Sequence, residues 1–351
     1  MKKKSLIIAL VAIMAMTATL FAGCGGSADS GSAAPEESAA SGEQVTLRWA
    51  GIGAPDAIDT WAAEEVSARV AERTNGAINI EVYPANQLGD LTQAYDEIKK
   101  GSIDMGLFTV YGTYDPAAEV TFLPYLTTTH EQFEKVFQRD GDMFKELERI
   151  NAEQGISLLG FWNSGHLGLV FTKLDTPEED LFDPTVKKSE LIRVPGMESM
   201  QKGCEALGFN TTVIPYAEVY TAMQTGTVDG SWNGGVYVNY MSFRDVTKYY
   251  VDYRCTDDVY SCIMNTAKLE SLTEEQQTII RDTVDEVMAE ANQKTAEQEE
   301  QSFKDMEDFG IKVIRPTDEQ LQALRDYFIK EVWPDLAKPF NQDLIEEYSN
   351  M

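Results

Sequence analysis

One short grammar of strands and helices occurs twice in this chain, and it constrains the fold more than any other feature. In the first half, Val45-Thr46-Leu47-Arg48-Trp49 alternates as a strand and is ended by Gly51-Ile52-Gly53. A helix with Trp61, Val66 and Val70 inward stops at Gly76, and Ile78, Ile80 and Val82 alternate as a second strand ended by Pro84. A helix over residues 90–100 stops at Gly101, before the short strand Ile103-Asp104-Met105. In the second half, Arg193-Val194-Pro195 closes an extended run. A helix with Met197, Met200, Cys204 and Leu207 on one stripe stops at Gly208, and Thr212-Val213-Ile214 is extended again. A further helix from about residue 217 stops at Gly226, before Thr227-Val228-Asp229. Two alternating units of this kind imply an α/β fold with two parallel-sheet lobes. In open parallel sheets ligands sit beyond the C-terminal strand ends, which nominates the loops after Met105 and Asp229 and the cleft between the lobes.

Ser271-Leu272-Thr273-Glu274 reads as a capping box that opens an unusually long helix, with Ile279, Ile280, Val284, Val287 and Met288 leading towards Phe303. This exceeds the ~11–12 residues of an ordinary helix and is expected to lie across both lobes. Ile311-Lys312-Val313-Ile314 is a late strand, and a last helix carries Leu321, Leu324, Tyr327 and Phe328. Nothing after Trp333-Pro334 suggests a separate domain.

The N-terminus begins Met1-Lys2-Lys3-Lys4, runs apolar to Ala22 and reaches Gly23-Cys24-Gly25-Gly26, the pattern of a secretory signal. Phe21-Ala22-Gly23-Cys24 resembles a bacterial lipobox, in which the cysteine is acylated and becomes the first residue; a plain signal peptide is the other reading. The Ser/Ala/Gly/Glu tract that follows has almost no large apolar residue and reads as a flexible tether. The organisation expected is therefore a signal peptide over 1–23, a tether over 24–44, lobe I over 45–168 plus 259–300, and lobe II over 169–258 plus 301–351. About 300 folded residues suit two domains better than one. Loss of Lys2, Lys3 and Lys4 with the signal takes the formal net charge from −29 to −32, which argues against nucleic acid or an anionic membrane face as partner. A small anionic ligand stays compatible, because one buried arginine outweighs a diffuse field screened over roughly 8 Å. Besides Cys24 there are Cys204, Cys255 and Cys262; a Cys255–Cys262 bridge and free cysteines packed as small apolar residues are both open.

Three stretches give the chain a family likeness: Val82-Tyr83-Pro84-Ala85-Asn86-Gln87-Leu88-Gly89-Asp90 with Gly101-Ser102-Ile103-Asp104-Met105; Phe122-Leu123-Pro124-Tyr125-Leu126; and Ile192-Arg193-Val194-Pro195 with Ala222-Met223-Gln224-Thr225-Gly226-Thr227-Val228-Asp229-Gly230-Ser231-Trp232-Asn233. In order and spacing they resemble the solute-binding proteins of TRAP transporters, the DctP type, over residues 45–335. The resemblance implies a two-lobed fold like that of periplasmic binding proteins, with a ligand cleft between the lobes. It also implies that Arg193, just before Val-Pro, pairs with a ligand carboxylate, for which a planar guanidinium that stays charged is suited. Asn233 matches a family asparagine that binds the same acid group. Its plain alternative is a turn residue before Gly234-Gly235.

Two positions depart from the family pattern. Ser231-Trp232 stands where many members have Gln-Glu, and Trp232 either stacks on the ligand or fills the lobe interior. In Asn163-Ser164-Gly165-His166-Leu167-Gly168, His166 takes the place of a second carboxylate-binding arginine, provided that Phe182-Asp183-Pro184-Thr185-Val186-Lys187-Lys188 is a surface insertion; a structural histidine is the alternative. With His166 there, a monocarboxylate with an apolar or aromatic body gains weight over an extended dicarboxylate. The strand-end rule adds Gln87, Phe108, Tyr111, Trp162 and Tyr216 as weaker cleft candidates, each of them equally readable as structure.

An exported hydrolase or lyase finds little support. Only His130 and His166 are present, which excludes a histidine-rich metal site, and no nucleophile elbow or phosphate loop appears. Asp56 stands where a dinucleotide fingerprint needs its third glycine. No cofactor is expected. A receptor for an ABC importer or a sensor would share fold and anchor, and an adhesive lipoprotein would need no cleft. The function expected is an exported, lipid-anchored, monomeric receptor that captures a small organic acid by lobe closure. Its expected partners are the small and large TRAP membrane subunits, with no nucleic acid and no membrane contact beyond the anchor.

Overall fold

The structure, a computed structural model, describes residues 44–109 and 115–351. Ten strands follow in chain order: β1 (Val45–Gly51), β2 (Ile78–Tyr83), β3 (Met105–Phe108), β4 (Ile156–Phe171), β5 (Leu191–Val194), β6 (Asn210–Val213), β7 (Gly230–Gly235), β8 (Tyr249–Val251), β9 (Asp257–Asn265) and β10 (Lys312–Ile314). They join in the order β2-β1-β3-β9-β4-β7-β5-β6, with β8 pairing β4 and β10 pairing β8. The two expected parallel blocks are present: β1 lies parallel between β2 and β3, and β5 lies parallel between β6 and β7. The sheet as a whole is mixed, however, because the blocks meet through antiparallel β3–β9, β9–β4 and β4–β7 pairs.

Local chemistry explains the element ends. Helix α1 (Ile58–Arg73) buries Ala62, Ala63, Val66 and Val70 beside Leu47, Trp49, Ile78 and Ile80. Helix α2 (Leu91–Lys100) opens on a capping box between Asp90 and Gln93 and closes on Gly101, whose φ of 76° is the left-handed conformation glycine adopts without cost. The capping box of the long helix lies two residues later than the sequence suggests. Thr273 and Gln276 form it, and the Ser271 hydroxyl instead donates to Lys268 O at 2.6 Å at the end of a preceding short helix.

The long helix, Glu274–Phe309, has 36 residues and serves two cores. Ile280, Val284, Val287, Met288 and Ala291 pack with β1–β3 and α1, whereas Phe303 and Met306 pack with Val170, Val236 and Tyr250. Between these apolar stretches it presents Asn292, Thr295 and Glu299, spaced so that all three face one side. They meet β4 where that strand passes from one block to the other. Residues up to His166 pair with β9, with the register broken between Asn163 and His166, and residues from Leu167 pair with β7 and then β8. A break leaves ladder groups without strand partners. Here the Asn163 N–H donates to Asn292 Oδ1 at 2.8 Å and the His166 N–H to Glu299 Oε1 at 2.7 Å. Gly165, with φ of 127°, sits so close that a β-carbon would lie 2.8 Å from Glu299 Oε1.

Cys204, Cys255 and Cys262 are all buried and free, so the bridge reading of Cys255 and Cys262 falls. These two occupy different core clusters, each packed as a small apolar side chain. Beyond Trp333-Pro334, Leu336, Leu344 and Tyr348 join the core that contains Phe122, Leu123 and Leu126. Among the described residues no helix is long and apolar enough to cross a membrane. Cys24 and Tyr111 lie outside the described residues.

Candidate functional site

A cavity of about 670 Å³ opens between the two parallel blocks, lined on one side by Gly53, Asp59, Asn86 and Thr109 and on the other by Arg193, Pro195, Asn233 and Tyr237. This is the position that strand-end geometry dictates. Arg193, near the end of β5, is 3% exposed and pairs in register with Ser231 of β7. Its Nε donates to Ile214 O at 2.8 Å, and its Nη1 donates to Trp232 O at 3.1 Å and Asn233 Oδ1 at 3.2 Å. Asn233 Oδ1 also accepts from the Ser231 hydroxyl at 2.6 Å, while its Nδ2 donates to Asn239 Oδ1 at 3.2 Å. Asn239 is anchored in turn on Gly234 O and Gly235 O at 2.6 and 3.0 Å. The guanidinium plane is thus fixed by carbonyl and amide oxygens on the cavity floor, where it keeps its positive charge.

Of the residues nominated from sequence, Arg193, Asn233, Trp162 and Tyr216 line this cavity. Trp162 is anchored by its Nε1, which donates to Thr295 Oγ1 at 2.9 Å, and its ring packs on Tyr260 with centroids 4.8 Å apart. Four others are placed elsewhere. Trp232 is fully buried beside Gly203 and within the core of Met200 and Cys204, so its side chain fills the interior and only its carbonyl serves Arg193. Phe108 is fully buried in the core, with Thr109 taking the wall beside it. Gln87 is exposed and does not line the cavity, whereas its neighbour Asn86 does.

His166 is also off the wall, held in a buried network. Its Nδ1 lies 3.4 Å from Glu299 Oε2, its Nε2 lies 3.5 Å from Asp257 Oδ1, and His130 Nε2 contacts the same Glu299 oxygen at 2.6 Å. Burial disfavours the His166 imidazolium, but the Glu299 and Asp257 carboxylates outweigh it and raise its pKa above the ordinary histidine value. Burial would likewise raise Glu299, yet the two histidines hold its carboxyl well below the usual carboxylate range. His130, His166 and Glu299 are the described residues that come nearest to a metal-ligand set. Atoms sharing a tetrahedral zinc with bonds of about 2.0–2.1 Å lie roughly 3.3 Å apart, so the 2.6 Å contact has the spacing of a hydrogen bond.

The wall also contains residues that sequence reasoning did not reach. Phe122, Tyr237 and Tyr260 add aromatic surface, and Met197 and Met200 add soft apolar surface. Asp59, in the first turn of α1, accepts from the Gly53 N–H at 2.9 Å; it follows the strand end of β1, and the strand-end rule applied there would have found it. Asp258, on β9, accepts from the Ser164 hydroxyl at 2.6 Å, and nothing in its surrounding sequence distinguishes it from other acids in so acidic a chain. Burial raises both carboxyls, Asp59 against the pull of the Gly53 N–H and Asp258 up to about 6.

Two α/β blocks enclosing a cavity with a fixed arginine on its floor define a ligand-capturing binding protein. The sequence matches the family of bacterial extracellular solute-binding proteins, family 7 (DctP), over residues 50–338, and the chain belongs to that family. It is 27% identical to a solute-binding protein of Chromohalobacter salexigens over 77% of this chain and 80% of the other. It is 25% identical to the C4-dicarboxylate-binding periplasmic protein DctP of Rhodobacter capsulatus, with 87% of each chain covered. Among solved structures, a TRAP periplasmic solute-binding protein from Sulfitobacter sp. NAS-14.1 with bound β-D-galacturonate superimposes with a TM-score of 0.71 at 25% identity, covering 87% of this chain and all of the other. One from Desulfovibrio salexigens with bound orotic acid gives 0.75 at 24% identity, covering 88% and 98%.

Proposed function

We propose that this chain is the extracytoplasmic receptor of a TRAP transporter, which captures a small organic acid by closure of two lobes and delivers it to the membrane subunits. The observation that carries the reading is Arg193: nearly buried, oriented by Ile214 O, Trp232 O and Asn233, and set on the floor of a cavity of about 670 Å³. A desolvated guanidinium held in plane stays charged and pairs with a carboxylate, and closure strengthens that pair by excluding water. The C4-dicarboxylate and galacturonate of the relatives named above are acids as well, which supports the same ligand class. Asn233 fixes the orientation of Arg193 and offers its amide to the ligand, and Trp162 and Tyr216 wall the ligand's body.

Lobe I comprises 45–168 plus 259–300 and lobe II 169–258 plus 301–351, so β4 and the long helix both cross the junction. The acidic chain is exported and held at the membrane by acylated Cys24, with residues 24–44 as tether. It binds rather than transforms its ligand, as a monomer.

The test is a thermal-shift screen of residues 45–351 against organic acids. A ligand at a hundred times its Kd adds about 2.7 kcal/mol of stability, which is readily seen. Arg193→Ala should weaken binding of any hit by roughly 2–5 kcal/mol, the penalty of truncating one partner of a buried charged pair. Unchanged affinity in a folded variant would overturn the assignment, as would hits confined to sugars, amines or metals.

A further inference from the structure

The charges in the cavity do not match a ligand that brings only a carboxylate. Arg193 is the one cationic side chain among its described lining residues, whereas Asp59, Asp90 and Asp258 all line it. Asp90 is exposed and engaged in capping α2. Asp59 and Asp258 are different. Asp59 is 6% exposed and Asp258 is half-buried, and among the described residues neither has a cationic partner within ion-pair distance. Each accepts one hydrogen bond from outside its own helix or strand, from the Gly53 N–H and the Ser164 hydroxyl.

Removing a carboxylate from water without a counter-charge is costly, and buried acids elsewhere in this fold are provided for. Asp252 lies against Arg254 and Arg315, and Glu299 lies between His130 and His166. Glu190, buried and without a cation among the described residues, accepts from the Asp175 and Thr176 N–H groups and the Thr176 hydroxyl. Asp59 and Asp258 also lack a cation among the described residues, and unlike Glu190 they face the cavity. Carboxylates that line a cleft with no cation beside them are candidates for a partner that arrives from solution. Aromatic faces surround the same space, from Trp162, Tyr237 and Tyr260, and aromatic faces attract cations.

We propose that the ligand is zwitterionic, an organic acid that also carries a protonated nitrogen, with its carboxylate on Arg193 and Asn233 and its ammonium group on Asp258 and Asp59. The proposal rests on the carboxylate reading given above and narrows it. Asp258 and Asp59 are then the residues that select against acids lacking the amine.

The experiment is a binding measurement by calorimetry on residues 45–351 with acids in matched sets of amino, hydroxy and unsubstituted members: phenylalanine with 3-phenyllactate and 3-phenylpropionate, and 5-aminovalerate with 5-hydroxyvalerate and valerate, extended across chain lengths and ring sizes. The amino member of the binding set should bind roughly tenfold to a hundredfold tighter than its partners, the range for a hydrogen bond to a charged group. Asp258→Asn should remove most of that preference while leaving the weak binding of the unsubstituted acid in place. Asp59→Asn supplies the same test should Asp258→Asn fail to fold. If hydroxy or unsubstituted acids bind as tightly as the amino member, or if both variants keep the preference, the zwitterion is overturned and the carboxylate reading survives. If no acid of any set binds, or Arg193→Ala leaves binding unchanged, both are overturned.

Discussion

Arg193 is held from behind by three oxygens, and one of them belongs to a residue that can be exchanged for its acid. Asn233→Asp would put a carboxylate oxygen in place of the amide oxygen now 3.2 Å from Nη1. The protein would then carry its own competitor for the guanidinium. We expect ligand affinity to fall by tenfold or more, about 1.4 kcal/mol per factor of ten, while the melting temperature of the empty protein stays level or rises. Unchanged affinity on titration would mean that the ligand does not use this face of Arg193. Asp258 behaves in the opposite sense. Its pKa is about 6 in the fold, above the ordinary aspartate value, so the folded state binds this proton more tightly than the unfolded chain does. Its contribution is therefore most favourable below the ordinary aspartate pKa and is lost as pH rises through about 6. Asp258→Asn, which keeps an acceptor for Ser164, should raise the apo melting temperature at pH 7.5 and have little effect near pH 4.

At the scale of elements, the seam between β4 and the long helix depends on buried charge. Glu299 satisfies the His166 N–H where the ladder breaks and contacts both histidines of the chain. Because the pKa of His166 is raised, its stabilising contribution is full below about 6.5 and is lost as pH climbs through the higher folded value. Glu299 is lowered, so its contribution is full above its ordinary carboxylate range and fades only at strongly acid pH. We expect the melting temperature to be higher near pH 6 than near pH 9, and the difference to shrink in His166→Gln; an equal pH profile in the variant would remove His166 as the cause.

This seam also marks the limit of what could be read from the chain. The paired helix–strand units, the glycine stops and the long helix were legible because period and punctuation are local properties, whereas Arg193 was nominated by the family resemblance alone. Asn292, Thr295 and Glu299 look like any solvated face of an acidic helix until β4 is brought against them. For His166 and Trp232 a ligand role and an interior role both stood open in the sequence, and the packing turns both side chains inward. Asp258 was unreadable for a different reason: its burial is decided by an antiparallel pairing between segments about ninety residues apart, which no window of sequence contains.

For the whole molecule, capture by closure requires the two blocks to approach about elements that run through both. β4 and the long helix are continuous across the proposed junction, so closure is expected as a bend about this seam and not as a swing on a loose linker. Small-angle scattering should show a smaller radius of gyration when ligand is added to residues 45–351, and no change in Arg193→Ala under the same conditions. An unchanged radius at saturating ligand would separate binding from closure.

Strand β4 carries a further consequence. Its first part is a rung of one ladder and its second part a rung of the other, and the segments of each proposed lobe come from both halves of the chain. Neither half of the chain therefore contains every segment of one proposed lobe, and neither is expected to fold alone. A nick in the run 156–171 would unravel both halves together, and unfolding should be one cooperative event in place of two. Recombination between relatives is restricted in the same way: whole receptors can be exchanged, but a lobe cannot be inherited alone.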